Sequence, residues 1–190
     1  MKAFVRLFFR IYEKWKHDVL MESDFHPSIS ILKVSFIALF VGGAAAVIAW
    51  MLYHLIGLVT HLAFAGQWSF DFVQPSALGA PWWVILIAPV VGGLLIGLMA
   101  RYGTDRIRGH GIPEAMEAIL VGQSRMSPKV AVLKPLSSAV SIGTGGPFGA
   151  EGPIIMTGGA LGSLFAQLFN LSNHERKTLL VAGAAAGMSA

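Results

Sequence analysis

The sequence predicts an all-α integral membrane protein whose later helices are too short to cross a bilayer unbroken. Three observations carry this. The 190 residues are 55% hydrophobic and only 13% charged, too little charge to cover a soluble domain of this size. From Val34 to Phe70 there is no Asp, Glu, Lys or Arg, a run well beyond the roughly 20 residues that span a membrane. After Arg101 the apolar segments shorten and are broken repeatedly by glycine and proline. Such breaks are tolerated at membrane depth only where protein or a water-filled cavity satisfies the freed backbone groups.

Residues 1–25 form a first segment. "FVRLFFRIYEKWKHDVL" (4–20) alternates aromatic and basic residues at near-helical spacing, the pattern of an amphipathic helix lying at the cytoplasmic membrane surface. The transmembrane part occupies 26–190. "HPS" at 26–28 resets the chain before a helix begins. The charge-free run from Val34 predicts one long tilted helix of about thirty residues, since no turn signal divides it. His54 and His61 lie near its far end, where interfacial histidines outweigh a paired metal site. "GQWSFDFVQPSALGAPWW" (66–83) is rich in turn formers and aromatics and reads as an outer loop. Trp82 to Ala100 is the second span, with Pro89 inside it and Gly92, Gly93 and Gly97 for close helix contact.

Beyond Arg101 four shorter helices follow. "GHGIPEAMEAILVGQ" (109–123) opens on a glycine-rich turn and places Pro113 at a first helical position. "PKVAVLKPLSSAVSIGTGG" (128–146) is a weakly polar helix ending in glycine. "AEGPIIMTGGALGSLFAQLFNL" (150–171) carries Gly158 and Gly162. "HERKTLLVAGAAAGMSA" (174–190) opens with a charged turn and continues in small residues.

Basic residues set the orientation. Six of the 14 Lys and Arg precede the first span, six lie between Arg101 and Lys134, and none lies in the loop joining the two spans. Basic residues concentrate in cytoplasmic loops, so the N-terminus and the 101–134 segment are expected inside and the 66–83 loop outside. The protein is then multi-pass, in a cell inner or plasma membrane. Nucleic-acid binding is excluded because the basic clusters flank apolar segments too long for a soluble core. With no cysteine, a disulfide framework and a thiolate metal site are also excluded. No cofactor or metal ligand set is apparent.

The chemistry concentrates at two helix starts, "GHGIP" (109–113) and "GAEGP" (149–153). A helix start carries N–H groups without intrahelical partners and about half a positive charge. At membrane depth it makes an anion site with no buried cation. Glycine lets an ion approach the backbone, and proline lacks an N–H to satisfy. Candidate anion-binding residues are Gly109, His110, Gly111, Ile112 and Pro113 from the first start. Gly149, Ala150, Gly152 and Pro153 come from the second. Glu151 is the only charged residue between Lys134 and Glu175. As a carboxylate at an anion site, it can occupy the site when ionised and leave when protonated, which makes it a gate and a proton carrier. A plain acid complementing the helix dipole is the rival. Ser138 and Thr144 are pathway-lining or helix-packing hydroxyls. Glu114 and Glu117 read as dipole-complementing acids, and Ser137 to Ser141 is no nucleophile motif.

At these residues the chain resembles the CLC family of chloride channels and proton-coupled chloride antiporters. "GHGIPE" is similar to that family's first signature and "GAEGPIIMTGGALGS" to its second, about forty residues later in both. "LLVAGAAAGMSA" resembles the helix that follows. The resemblance implies a CLC-type bundle of tilted, partly re-entrant helices in two inverted repeats. It implies a homodimer with one chloride pathway per subunit, voltage- or pH-gated, with Glu151 as gate and, in antiporters, proton carrier. Two departures stand out. His110 occupies the place of the family's anion-coordinating serine. Either its imidazole donates to the anion, or it faces the inner vestibule and the backbone does the work. Ala150 replaces the basic residue before the gating glutamate, which weakens anion attraction at the outer mouth.

The resemblance also places the family's third signature, pore tyrosine, inner proton-handling glutamate and dimer helices beyond Ala190. The chain is therefore expected to hold part of the first repeat and to form no closed pathway alone. The alternatives are a truncated, non-transporting membrane fragment or a broken-helix secondary transporter of another class, which would need more than one acid in its core. An intramembrane enzyme would need a second catalytic group beside Glu151, and none is near it in the sequence.

Overall fold

The computed structural model describes residues 30–109 and 111–190. The amphipathic segment over 4–20 and the boundary at residue 25 lie outside the described residues. Six α-helices follow one another: α1 (Ser30–Phe64), α2 (Trp82–Tyr102), α3 (Ile112–Leu120), α4 (Pro128–Gly143), α5 (Glu151–Leu168) and α6 (Asn173–Ser189). Short 3-10 turns at Pro75–Leu78 and Asp105–Ile107 complete the described elements.

Helix α1 has 35 residues. It takes in Lys33 at its start and stops at Phe64, short of the Phe70 that closes the charge-free run. The difference is physical: lack of charge marks an apolar environment, not a helix. Gly66, at φ +62°, turns the chain where only backbone freedom decides. The following loop then folds back on α1. A Cβ at Gly57 would stand 2.6 Å from the Phe70 carbonyl oxygen and 2.7 Å from that of Asp71. Phe72 stacks on Tyr53 with ring centroids 4.6 Å apart.

Helix α2 runs two residues past the expected span and holds Pro89 within it. Its length and that of α1 suffice to cross a membrane. Only 22% of the most apolar window of α1 and 11% of that of α2 are buried within the chain. Core helices of soluble proteins bury such windows, so these apolar faces are built for lipid or for other membrane helices.

The shorter helices form the packed centre. Ala115 and Ala118 of α3, Val130 of α4, Met156 and Ala160 of α5 and Leu180 of α6 share one buried cluster with Met126. Val34, Ile37 and Val41 of α1 pack with Ala166, Leu171 and Leu179. Leu52 and Ile56 of α1 pack on Ala139 of α4. The closest pair is α5 and α6. Gly158 faces Gly183 so closely that a Cβ on either would overlap the other's backbone, and Gly162 abuts the Leu179 carbonyl. The small residues expected to admit close approach do so here.

The α3–α4 connection is strained and pinned. Gln123 and Ser124 adopt positive φ of 51° and 55°, which non-glycine residues rarely do. The Ser163 hydroxyl of α5 accepts from Met126 N–H at 3.0 Å and donates to the Ser124 carbonyl. Gln167 Nε2 adds a bond to the Met126 carbonyl at 3.2 Å. Arg176 is buried and donates to the Gln123 and Leu171 carbonyls, each at 3.2 Å. The "HERK" turn is therefore only partly the surface feature its charge suggests.

Candidate anion site

The first helix start has Gly109 and Gly111 both at φ +93°, a conformation that strains any side chain. Helix α3 is capped by Gly111 with Ile112 first and Pro113 second, so the proline sits one position later than its sequence context suggests. Glu114 reaches back so that its Oε2 accepts from Gly111 N–H at 2.9 Å. Its carboxylate also lies against Gly109, where a Cβ would collide with it. Glu114 thus consumes one of the free N–H groups of this start, half of a capping box. Glu117 is exposed on the same helix. His110 lies outside the described residues.

The second start keeps its donors free. Ala150 caps α5 with no side-chain hydrogen bond, and the first ladder bond is Ile154 N–H to the Ala150 carbonyl at 3.0 Å. Pro153 has no N–H. Among the described residues, no group accepts from the N–H of Gly149, Ala150, Glu151 or Gly152. Glu151 is the first residue of α5, exposed, and paired with no described group. Gly152 and Pro153 are buried.

The two starts meet. A Cβ on Gly111 would lie 2.7 Å from the Gly152 carbonyl oxygen and 3.1 Å from Met156 Cβ. A cavity of about 540 Å³ opens beside them. Gly109 lines it from the first start, Gly149 and Pro153 from the second, and Pro89, Gly93 and Ile96 from α2. Ser137, Ser138 and Ser141 of α4 and Thr144 at its C-cap supply its hydroxyls, and Arg108 its one basic side chain. Arg108 is exposed and paired with Asp105 at 3.6 Å, a surface contact worth little. Gly111, Ile112, Pro113, Ala150, Glu151 and Gly152 are not among the residues that line the cavity.

One feature departs from the expectation of a site without a buried cation. Lys134, counted in the sequence with the basic residues of an inner loop, sits inside α4 and is 1% exposed. Its Nζ donates to the carbonyl oxygens of Gly109 at 2.8 Å and Ile107 at 3.3 Å. Among the described residues no carboxylate lies within 4.0 Å of it; Glu114 is the acid whose charge it feels. A buried amine thus stands behind Gly109 of the first start and Ile107 just before it, bonded to both carbonyls. The sequence signal was present: of the two lysines of α4, Lys129 stands in the first turn, but Lys134 stands mid-helix among apolar residues. Ser137 and Ser138 donate to the Lys134 carbonyl at 3.0 and 2.7 Å. Thr144 donates to the Val140 carbonyl at 2.7 Å and packs on Gly92 of α2.

His54 and His61 are not brought to this cavity. Each bonds through Nδ1 to the carbonyl one turn back on α1, Trp50 at 2.9 Å and Gly57 at 3.0 Å. His54 also packs on the Trp50 ring, with centroids 4.2 Å apart.

The sequence profile described as voltage gated chloride channel matches residues 92–190, from the middle of α2 through both helix starts to the last residue. The chain belongs to that family. It is 36% identical over 118 residues to a putative chloride channel protein ClcB-like of Ralstonia nicotianae, over 60% of this chain and 28% of that one. It is 30% identical over 156 residues to the voltage-gated ClC-type chloride channel ClcB of Yersinia pseudotuberculosis, over 80% of this chain and 37% of the relative. It is 32% identical over 149 residues to the H(+)/Cl(-) exchange transporter ClcA of Citrobacter koseri, over 72% and 31% respectively. The chain therefore spans about a third of the length of these relatives. Channels and an exchanger both stand among them by name, and the two apolar helices of this chain fit a membrane protein of this family.

Proposed function

We propose that the whole protein carrying this chain moves chloride or a related anion across a lipid bilayer, along a path that passes the two helix starts. The observation that carries this is their meeting. Two glycine-rich starts from separate helices stand in contact beside one cavity, with four backbone N–H groups of the second start uncommitted. Preorganised N–H donors in a low-dielectric site favour a small anion and need no reorganisation to bind it. Lys134 adds positive potential behind the first start. The names of the relatives favour chloride as the anion, with protons as the second cargo if the protein works as an exchanger.

In this reading Glu151 is the gate. Its carboxylate is unpaired and one residue from the free N–H groups, so ionised it competes with the anion for the same donors, and protonated it withdraws. Gly109, His110, Gly111, Ile112 and Pro113, with Gly149, Ala150, Gly152 and Pro153, form the anion's surroundings. The working unit is a homodimer with a cytoplasmic N-terminus. No cofactor is needed for such transport, which breaks no covalent bond.

The test is anion flux from liposomes holding the whole protein, wild type and Glu151→Gln, with and without a proton gradient. Gated transport predicts that Glu151→Gln abolishes the pH dependence of flux. Proton movement coupled to chloride and lost in the variant identifies an exchanger, and purely passive flux a channel. Unchanged flux and pH dependence in Glu151→Gln would refute the gate.

A further inference from the structure

The cavity beside the helix starts has a mostly apolar wall, and its side-chain donors are few. Four hydroxyls from α4 and its C-cap line it, but three are already spent. Ser137 and Ser138 donate to the Lys134 carbonyl, and Thr144 donates to the Val140 carbonyl. This is the usual fate of hydroxyls on apolar helices, which bond back to a carbonyl one turn earlier. Thr60 of α1 and Thr157 of α5 do the same, at 2.9 and 2.7 Å. Ser141 does not. It lines the cavity, is half-buried, and no described group pairs with its hydroxyl. Its backbone carbonyl is instead occupied by Gly146 N–H at 2.9 Å and by the Thr144 hydroxyl at 3.4 Å.

We infer that Ser141 is a side-chain ligand of the transported anion, donating its O–H into the cavity that it lines. The inference rests on the anion-transport reading above and deepens it by naming a ligand on α4, a helix that contributes neither start. The chemistry suits the role. A half-buried hydroxyl that lines a cavity and has no protein partner keeps its donor for whatever occupies that cavity, water or an anion. Lys134 lies two turns earlier on the same helix, so the cavity wall that carries Ser141 is on the electropositive side. A hydroxyl donates to an anion without bringing a charge that would trap it, which suits a site that must also release its ion.

The experiment measures chloride binding by titration calorimetry on the detergent-purified whole protein, with chloride flux from liposomes as the second readout. Ser141→Ala is expected to weaken chloride binding about fivefold, the size of one hydrogen bond of about 1 kcal/mol. Ser141→Thr keeps the hydroxyl at the same helix position and is expected to restore binding to within about twofold of wild type. Melting temperature is followed in all three, because a purely structural serine would shift stability without this pattern. Equal chloride affinity in wild type and Ser141→Ala, with flux intact, overturns the inference and leaves the transport reading standing. A loss in Ser141→Ala that Ser141→Thr does not rescue also overturns it, since packing and not the hydroxyl would be responsible. No chloride binding or flux in the wild type overturns both.

Discussion

Replacing Lys134 by Met tests the electrostatics of the site. The substitution keeps the length and apolar stem and removes only the charged head. Nζ holds the Gly109 and Ile107 carbonyl oxygens at 2.8 and 3.3 Å. Hydrogen bonds to a charged group contribute about 1.5–3 kcal/mol each, and the longer of these two falls at the low end. Part of that gain offsets the cost of burying the ammonium, which is 1% exposed, and that cost disappears in the variant. The net loss of stability should be about 2 kcal/mol. The effect on anion binding is separate. For an anion about 7 Å from the ammonium at an effective dielectric of about 20, the attraction would be about 2 kcal/mol, roughly thirtyfold in affinity. Calorimetric chloride titration and a thermal melt on the same preparation measure the two quantities. Chloride affinity within twofold of wild type in Lys134→Met would refute the claim that this charge supports the site. A large loss of affinity in Lys134→Arg as well would point to the geometry of the carbonyl contacts instead, because the charge is kept.

Two further predictions concern the packing that holds the starts together. Ser163→Ala strands the buried Met126 N–H and should lower stability by about 1–3 kcal/mol, read as a lower midpoint of thermal unfolding in detergent; Ser163→Thr should recover part of it. Gly158→Leu forces a side chain into the Gly183 backbone and should cost at least the 1–3 kcal/mol of overpacking. Its measurable signature is loss of the monodisperse folded peak in size-exclusion chromatography, which Gly43→Leu, at a site open for a side chain, should keep.

Much of this protein could be read before any coordinates. Lack of charge and long apolar runs give α1 and α2, because a bilayer imposes a length on any helix that crosses it. Pro113 and Pro153 with the glycines just before them mark two helix starts, because those residues suit a turn that leaves backbone donors free. The lone Glu151 marks one of them as special. Boundaries were less legible. The residues from Gly66 to Phe70 are as free of charge as the helix before them, and only the turn at Gly66 and the packing against Gly57 set the end of α1. Pro113 reads naturally as a first helical residue, yet Gly111 with Glu114 behind it sets the cap one position earlier.

The tertiary structure alone decided how the pieces combine. Nothing local says that Gly111 will touch Gly152, since the two are far apart in sequence and joined only through the α3, α4 and α5 packing around Met126 and Met156. Charge counting assigned Lys134 to a basic segment on one side of the membrane. The fold buries it, because its ammonium finds the carbonyls of Ile107 and Gly109, 27 and 25 residues earlier in the chain. Ser141 and its three neighbouring hydroxyls are alike in sequence, and only the contacts of α4 show that three are spent and one is free. Composition and periodicity report what environment each segment needs. Which donors remain unpaired depends on long-range contacts, and in an anion site the unpaired donors do the binding.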